Sequence, residues 1–210
     1  MIVIIDYEAG NLTSVQRALA FLGQTSVITD DFRTVLRAER IIFPGVGAAG
    51  KAMFNLAKGK LDQALAQAYQ DRKPILGICL GTQIIMEWSE ENNTPCLGLI
   101  KGTVRRFPEE VSDKRLKVPH MGWNGIMLKR KHPLFQGVEP SAEFYFVHSY
   151  YPAPTDPHAV LGETDYGGPF ASVLASKSLV AVQFHLEKSG RPGLTILSNF
   201  CRWEGQEDAE

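Results

Sequence analysis

Lys73-Pro74-Ile75-Leu76-Gly77-Ile78-Cys79-Leu80-Gly81-Thr82-Gln83 is an apolar run that ends inside a frame of small residues. Residues 74–79 have the length and composition of a buried strand, and the segment 82–91 directly after them reads as helix. A strand that enters a helix with so little between them is the unit of a parallel sheet covered by helices. Working outward, residues 2–5 and 40–43 are apolar runs of the same kind, each ending in turn residues. Between them, the turn 6–11 leads to a helix whose Leu12, Val15, Leu19 and Leu22 share a face, with Gly23 placed to end it. A strand near residues 25–29 follows, and Leu61, Leu65, Ala68 and Tyr69 mark a helix over 59–72. The expected class is therefore α/β with a mostly parallel central sheet.

From about residue 100 the texture changes. Segments 101–107, 124–128, 142–147, 160–164, 171–176 and 179–184 are aromatic and β-branched and are divided by Gly, Pro and Asp, which predicts an additional antiparallel part in the second half. Residues 193–203 read as a closing helix. With no repeat, low-complexity segment or Gly/Ser linker, residues 1–203 are expected to form one domain, followed by a frayed acidic tail at 204–210.

The chain has 210 residues, 22 Lys+Arg against 23 Asp+Glu and a net charge of −1, which argues against a nucleic-acid binder acting through a basic face. No stretch approaches the length of a membrane-spanning helix, and no basic region precedes the short apolar run at the amino terminus. The expected location is the cytoplasm. Cys79, Cys96 and Cys201 are odd in number and widely spaced, without a CxxC pair. That fits reduced thiols better than a disulfide framework or a metal site, so no metal is expected.

Residues 45–51 (GVGAAGK) satisfy both G-x-G-x-x-G and the opening of a P-loop. The context fails both. Position 52 is Ala where a P-loop needs Ser or Thr for magnesium, and a dinucleotide fingerprint belongs after the first strand with an acidic residue about 20 positions on. The loop is instead a candidate anion site built from main-chain amides, or a structural turn.

Gly77-Ile78-Cys79-Leu80-Gly81 has the form G-x-nucleophile-x-G at a strand-to-helix junction, the frame that lifts a nucleophile out of a sheet. The helix head favours a thiolate there, and the Leu80 N–H is the simplest oxyanion donor. Cys96 and Cys201 lack such a frame and read as structural. A Cys nucleophile needs a base that a third group orients. His185 closes an apolar strand with Glu187 two residues on, but His120 and His148 also sit among aromatics and stay in contention on these grounds. His132 and His158 lie beside prolines and read as surface residues.

Pro44-Gly45-Val46-Gly47, the Cys79 segment through Gln83, and Gln183-Phe184-His185-Leu186-Glu187-Lys188-Ser189 together resemble the class I (triad) glutamine amidotransferases, in the right order across nearly the whole chain. The resemblance implies a three-layer, flavodoxin-like fold, a glutaminase with no cofactor, Cys79 as nucleophile, His185 as acid/base and Glu187 as its partner. It further implies that Val46 and Gly47 form the second side of an oxyanion hole and that Gln83, Glu91, His148, Ser149 and Tyr150 hold glutamine. Val118-Pro119-His120-Met121-Gly122-Trp123-Asn124 and Tyr145-Phe146-Val147-His148-Ser149-Tyr150-Tyr151 resemble the branch that supplies ammonia for imidazole glycerol phosphate synthesis. That branch implies a heterodimer with a (β/α)₈ cyclase subunit, with Met121, Trp123 and Asn124 near the interface. The alternatives are an amidotransferase subunit for anthranilate or aminodeoxychorismate synthesis, and a binding module with a vestigial triad. The family usually has Pro between the catalytic His and Glu; here Leu186 stands there, which changes local rigidity and no chemistry.

Overall fold

The computed structural model describes residues 1–111 and 114–206. Its chain order is β1 (Ile2–Ile5), α1 (Leu12–Phe21), β2 (Ser26–Thr29), α2 (Phe32–Arg37), β3 (Arg40–Gly45), α3 (Ala49–Lys58), α4 (Leu61–Gln70), β4 (Ile75–Cys79) and α5 (Leu80–Ile84). Then follow the short strands β5 (Trp88–Ser89), β6 (Thr94–Pro95), β7 (Gly102–Arg106), β8 (Glu110–Val111) and β9 (Lys114–Arg115). The longer elements β10 (His120–Gly125), β11 (Met127–Leu128), β12 (Glu143–His148), β13 (Tyr150–Pro154), β14 (Val160–Asp165), β15 (Pro169–Ser176), β16 (Leu179–Val182) and α6 (Gly190–Arg202) complete the chain.

An eight-stranded sheet in the order β11-β14-β15-β16-β4-β3-β1-β2 forms the centre. The pairs β2/β1, β1/β3, β3/β4 and β4/β16 are parallel, while β16/β15, β15/β14 and β14/β11 are antiparallel. The α/β class with an antiparallel extension in the second half is thus as expected from sequence. One apolar cluster, including Leu56, Leu65 and Ile84, packs α3, α4 and α5 on one face; another, including Leu19 and Phe200, packs α1 and α6 on the other. Strands β1, β3, β4 and β16 read as near-continuous apolar runs because both faces of this sheet are covered.

Four sequence expectations change. The helix expected over 82–91 ends at Ile84, because amides of a returning loop take its last carbonyls: Leu97 N–H donates to Ile84 O and Leu99 N–H to Ile85 O, both at 2.9 Å. The loop read at 45–51 is already helix from Ala49, so α3 emerges from a segment whose glycines hid it. His132 is buried rather than at the surface: its Nδ1 accepts from Leu134 N–H at 3.2 Å, and its ring lies against Trp203. The tail does not fray at 204: Gly205 is buried and Trp203 Nε1 donates to the Gln206 carbonyl at 2.6 Å, while residues 207–210 lie outside the described residues. No helix among the described residues is long and apolar enough to cross a membrane.

Candidate active site

Strand β4 lies between β3 and β16, so its carboxyl end opens at the centre of the sheet, where Cys79 sits with φ 55° and ψ −106°. A non-glycine residue in that region is strained and persists only where its surroundings over-determine it. The surroundings here are close packing on both sides. A Cβ at Gly81 would stand 2.0 Å from the Phe43 carbonyl oxygen, and one at Gly77 would stand 2.9 Å from Ala181 Cβ. Thr82 Oγ1 donates to the Val182 carbonyl at 2.5 Å, which ties the head of α5 to β16.

His185 follows β16 and is pinned by its backbone: its N–H donates to Tyr145 O at 2.9 Å, and Ser189 Oγ donates to His185 O at 2.5 Å while accepting Tyr145 N–H at 3.0 Å. Its Nδ1 bonds Glu187 Oε1 at 2.7 Å, with both side chains sealed from solvent at 1% and 0% exposure. Burial opposes charge on the ring, yet the neighbouring Cys79 sulfur and the Glu187 carboxylate outweigh it and lift the pKa to about 10. His185 Nε2 is buried without an aligned hydrogen-bond partner, the position from which a ring proton is delivered to a reacting group. The sequence left His120 and His148 as rival bases. The structure puts both in a hydrogen-bonded pair of their own, and of these three rings only His185 has a carboxylate partner among the described residues.

The oxyanion residues are not all presented. Val46 N–H donates to the Ala9 carbonyl at 2.8 Å, so in this conformation it is spent on the protein. Val46, Gly47, Leu80 and Cys79 nevertheless line one pocket of about 420 Å³ with Gln83, Glu91, Pro119, Val147, His148, Ser149 and Tyr150. All five residues expected to hold glutamine are therefore on that wall. Gln83 Nε2 donates to the Tyr150 carbonyl at 2.8 Å and to Gln183 Oε1 at 3.2 Å, and Glu91 Oε2 accepts the Ala49 N–H at 2.7 Å. Met121 and Trp123 are exposed at 57% and 54%, whereas Asn124, on the opposite face of β10, turns inward to donate to the Asp165 carbonyl at 3.0 Å.

Sequence reasoning missed three residues. Asn11 donates its amide to Glu187 Oε1 across 176 positions. Gln183 directs Nε2 at Cys79 Sγ, 3.8 Å away. Tyr7 buries a hydroxyl without a hydrogen-bond partner, and burial followed by the Cys79 charge raises its pKa well above the usual phenol value. Gln183 was visible as part of a motif; Asn11 and Tyr7 carried no local signal. Cys96 is half-buried, with its thiol pushed up to about 11 by burial and Glu91, and burial likewise raises Cys201. Lys51 of the P-loop look-alike is exposed on α3 and Ala52 is buried.

The model of the family described as glutamine amidotransferase class-I matches residues 3–203. The chain is 54% identical over 206 residues to the imidazole glycerol phosphate synthase subunit HisH of Maridesulfovibrio salexigens, covering 97% of each chain. It is 46% identical over 209 residues to the protein of the same name from Neisseria gonorrhoeae, covering 95% of this chain and 98% of that one. Among solved structures it is similar to a glutamine amidotransferase (TM-score 0.73, 14% identity, 96% and 100% covered). It is also similar to PurLQS from Thermotoga maritima (TM-score 0.70, 19% identity, 96% and 97% covered).

Proposed function

We propose, from the premise that this chain belongs to the class I glutamine amidotransferase family, that it is the glutaminase subunit of an imidazole glycerol phosphate synthase. Near-full-length identity of 54% to a subunit of that name carries the reading. The Cys79, His185 and Glu187 constellation, opening on one pocket, supports it.

The pKa of His185 makes the resting ring an imidazolium beside the nucleophile. Cys79 sulfur attacks the side-chain carbonyl of glutamine, and the carbonyl π pair moves onto oxygen, held by the Leu80 N–H and by the Val46–Gly47 loop once its amides turn inward. His185 Nε2 gives its proton to the departing nitrogen, the C–N bond breaks, and ammonia leaves a γ-glutamyl thioester. Water then adds, its proton going to His185, and the C–S bond breaks to release glutamate. Glu187, with one oxygen on Nδ1, holds the ring and its charge throughout.

Ammonia passes to a separate (β/α)₈ cyclase subunit docked as a heterodimer on the face carrying Met121 and Trp123. That subunit uses it with PRFAR to give imidazole glycerol phosphate and AICAR. Exposure of two large apolar side chains on one strand supports this face as the contact.

The test is glutamate release by the chain alone, then with a cyclase subunit and PRFAR, with Cys79→Ala as control. Large stimulation that Cys79→Ala abolishes is expected. A reactive thiol without stimulation would move the chain to another synthase, and an inert thiol would overturn the enzymatic reading.

A further inference from the structure

A chain of hydrogen bonds runs from β10 to the Cys79 pocket, and no step of the proposed reaction uses it. The Tyr150 carbonyl, on the pocket wall, meets Gln83 Nε2 and His148 Nδ1, each at 2.8 Å. A carbonyl only accepts, so His148 carries its proton on Nδ1 and a lone pair on Nε2. That lone pair meets His120 Nδ1 at 3.0 Å, so His120 also carries its proton on Nδ1. His120 Nε2, left as an acceptor, faces Asn124 Nδ2 at 3.3 Å. Every donor along the chain is thereby directed from Asn124 toward Tyr150. Both rings stay neutral near pH 7, because burial pushes His120 to about 4 and His148 to about 3. Beyond Tyr150, Gln83 donates to Gln183 Oε1 at 3.2 Å, and Gln183 Nε2 points to Cys79 Sγ at 3.8 Å.

The two rings are held in place. His120 and His148 are direct partners in the β10/β12 register, and the His120 ring stacks between Phe146 and Tyr166 at centroid distances of 4.8 and 4.0 Å. A ring clamped on both faces turns little, so its tautomer, rather than its rotation, decides what it offers His148.

We propose that His120 is a positioning residue for the glutamine pocket: by donating to His148 it locks the tautomer that braces the Tyr150 carbonyl, and so sets the Gln83 amide that faces substrate. The glutamine part of this rests on the proposed glutaminase function; the tautomer lock does not. His120 shares β10 with Met121 and Trp123, which face the opposite way, so the strand that braces the pocket also carries the proposed docking face.

The experiment compares His120→Leu, which fills the site without a donor, with His120→Asn, whose amide reaches the position of Nδ1. Glutamine KM and kcat are read in the assembled enzyme, Cys79 alkylation by iodoacetamide on the chain, and ring tautomers from ¹⁵N-histidine spectra. In the wild type His148 is protonated on Nδ1. His120→Leu raises KM about tenfold, one hydrogen bond's worth, with kcat and alkylation changed less than about threefold, and mixes the His148 tautomers. His120→Asn restores most of the KM. An unchanged KM in His120→Leu, equal losses in both variants, or wild-type His148 protonated on Nε2 would overturn the proposal. If His120→Leu fails to fold, His120→Asn and the wild-type spectra decide. A wild type that releases no glutamate with its partner would defeat the functional reading alone, and the tautomer of His148 would still decide the lock.

Discussion

Asn11 is where the proposed mechanism is most open to a quantitative test. The Glu187 side chain is fully buried; Oε1 accepts from His185 Nδ1 at 2.7 Å and from the Asn11 amide, while Oε2 has no partner. Asn11 is therefore the one neutral donor among the described residues that stabilises this carboxylate. A hydrogen bond to a charged group contributes about 1.5–3 kcal/mol, which is roughly 10- to 150-fold in rate when it acts in the transition state. Asn11 has φ 64°, so Asn11→Gly removes the amide without backbone strain, where a bulkier residue would mix both effects. The expected result is a fall of that size in kcat/KM for glutamate release. The Glu187 charge remains in this variant, so the His185 pKa should stay raised, readable as an unchanged or upward-shifted pH profile of Cys79 alkylation. Asn11→Asp places a like charge beside Glu187 and should cost more. An Asn11→Gly enzyme that keeps kcat/KM within about twofold while Glu187→Gln loses activity would refute the reasoning, since Glu187 would then work without its second donor.

Three further outcomes are expected. Gly81→Ala drives a Cβ to 2.0 Å from the Phe43 carbonyl oxygen and should cost about 3 kcal/mol or more by urea unfolding; wild-type stability would show that β3 and α5 part easily. His120 and His148 have folded pKa values of about 4 and about 3, below the unfolded value of roughly 6.5, so the unfolded chain binds protons that the native chain does not. Stability should thus rise with pH between those values and be lost on acidification, by up to about 1.4 kcal/mol per pH unit for each ring. A flat urea midpoint from pH 6.5 to 4.5 would count against this, and His120→Leu should remove one ring's share. Trp123→Ala, at a side chain 54% exposed, should leave stability nearly unchanged and lower the yield of cyclised product per ammonia released; a normal ratio in the assembled enzyme would free Trp123 from the docking face.

What was legible in the sequence was what lies close along the chain. The elbow announces itself because its glycines stand within two residues of Cys79, and Glu187 because it stands two residues after His185. Residues that act across the sheet gave no local sign of their partners: Asn11 reaches Glu187 over 176 positions, and Gln183, though part of a motif, reaches Cys79 over 104. Helix α3 was hidden because Ala48, Ala49 and Gly50 follow a glycine loop and look like its continuation, although Ala49, Ala52 and Leu56 bury one face. The overlong helix at 82–91 failed for the opposite reason. Its residues keep an apolar pattern, but the carbonyls of Ile84, Ile85 and Met86 are taken by residues 97–100, a tertiary competition that local periodicity does not reveal.

The resting geometry also indicates which part of the proposed machine must still move before it can act. His185 and Glu187 are already paired and sealed from solvent and Cys79 opens on the pocket, while the Val46 N–H is bonded to the Ala9 carbonyl at 2.8 Å. Releasing one neutral backbone hydrogen bond costs about 1 kcal/mol net, whereas an absent oxyanion donor costs about 2.7–4 kcal/mol in the transition state. Moving the loop therefore costs less than the transition-state stabilisation it would supply. Val46 is 39% exposed, so the loop can be reached from solvent. Its acceptor belongs to the same turn as Asn11, two residues on, which holds Glu187. A displacement of that one turn would therefore move the Val46 acceptor and the Glu187 donor together.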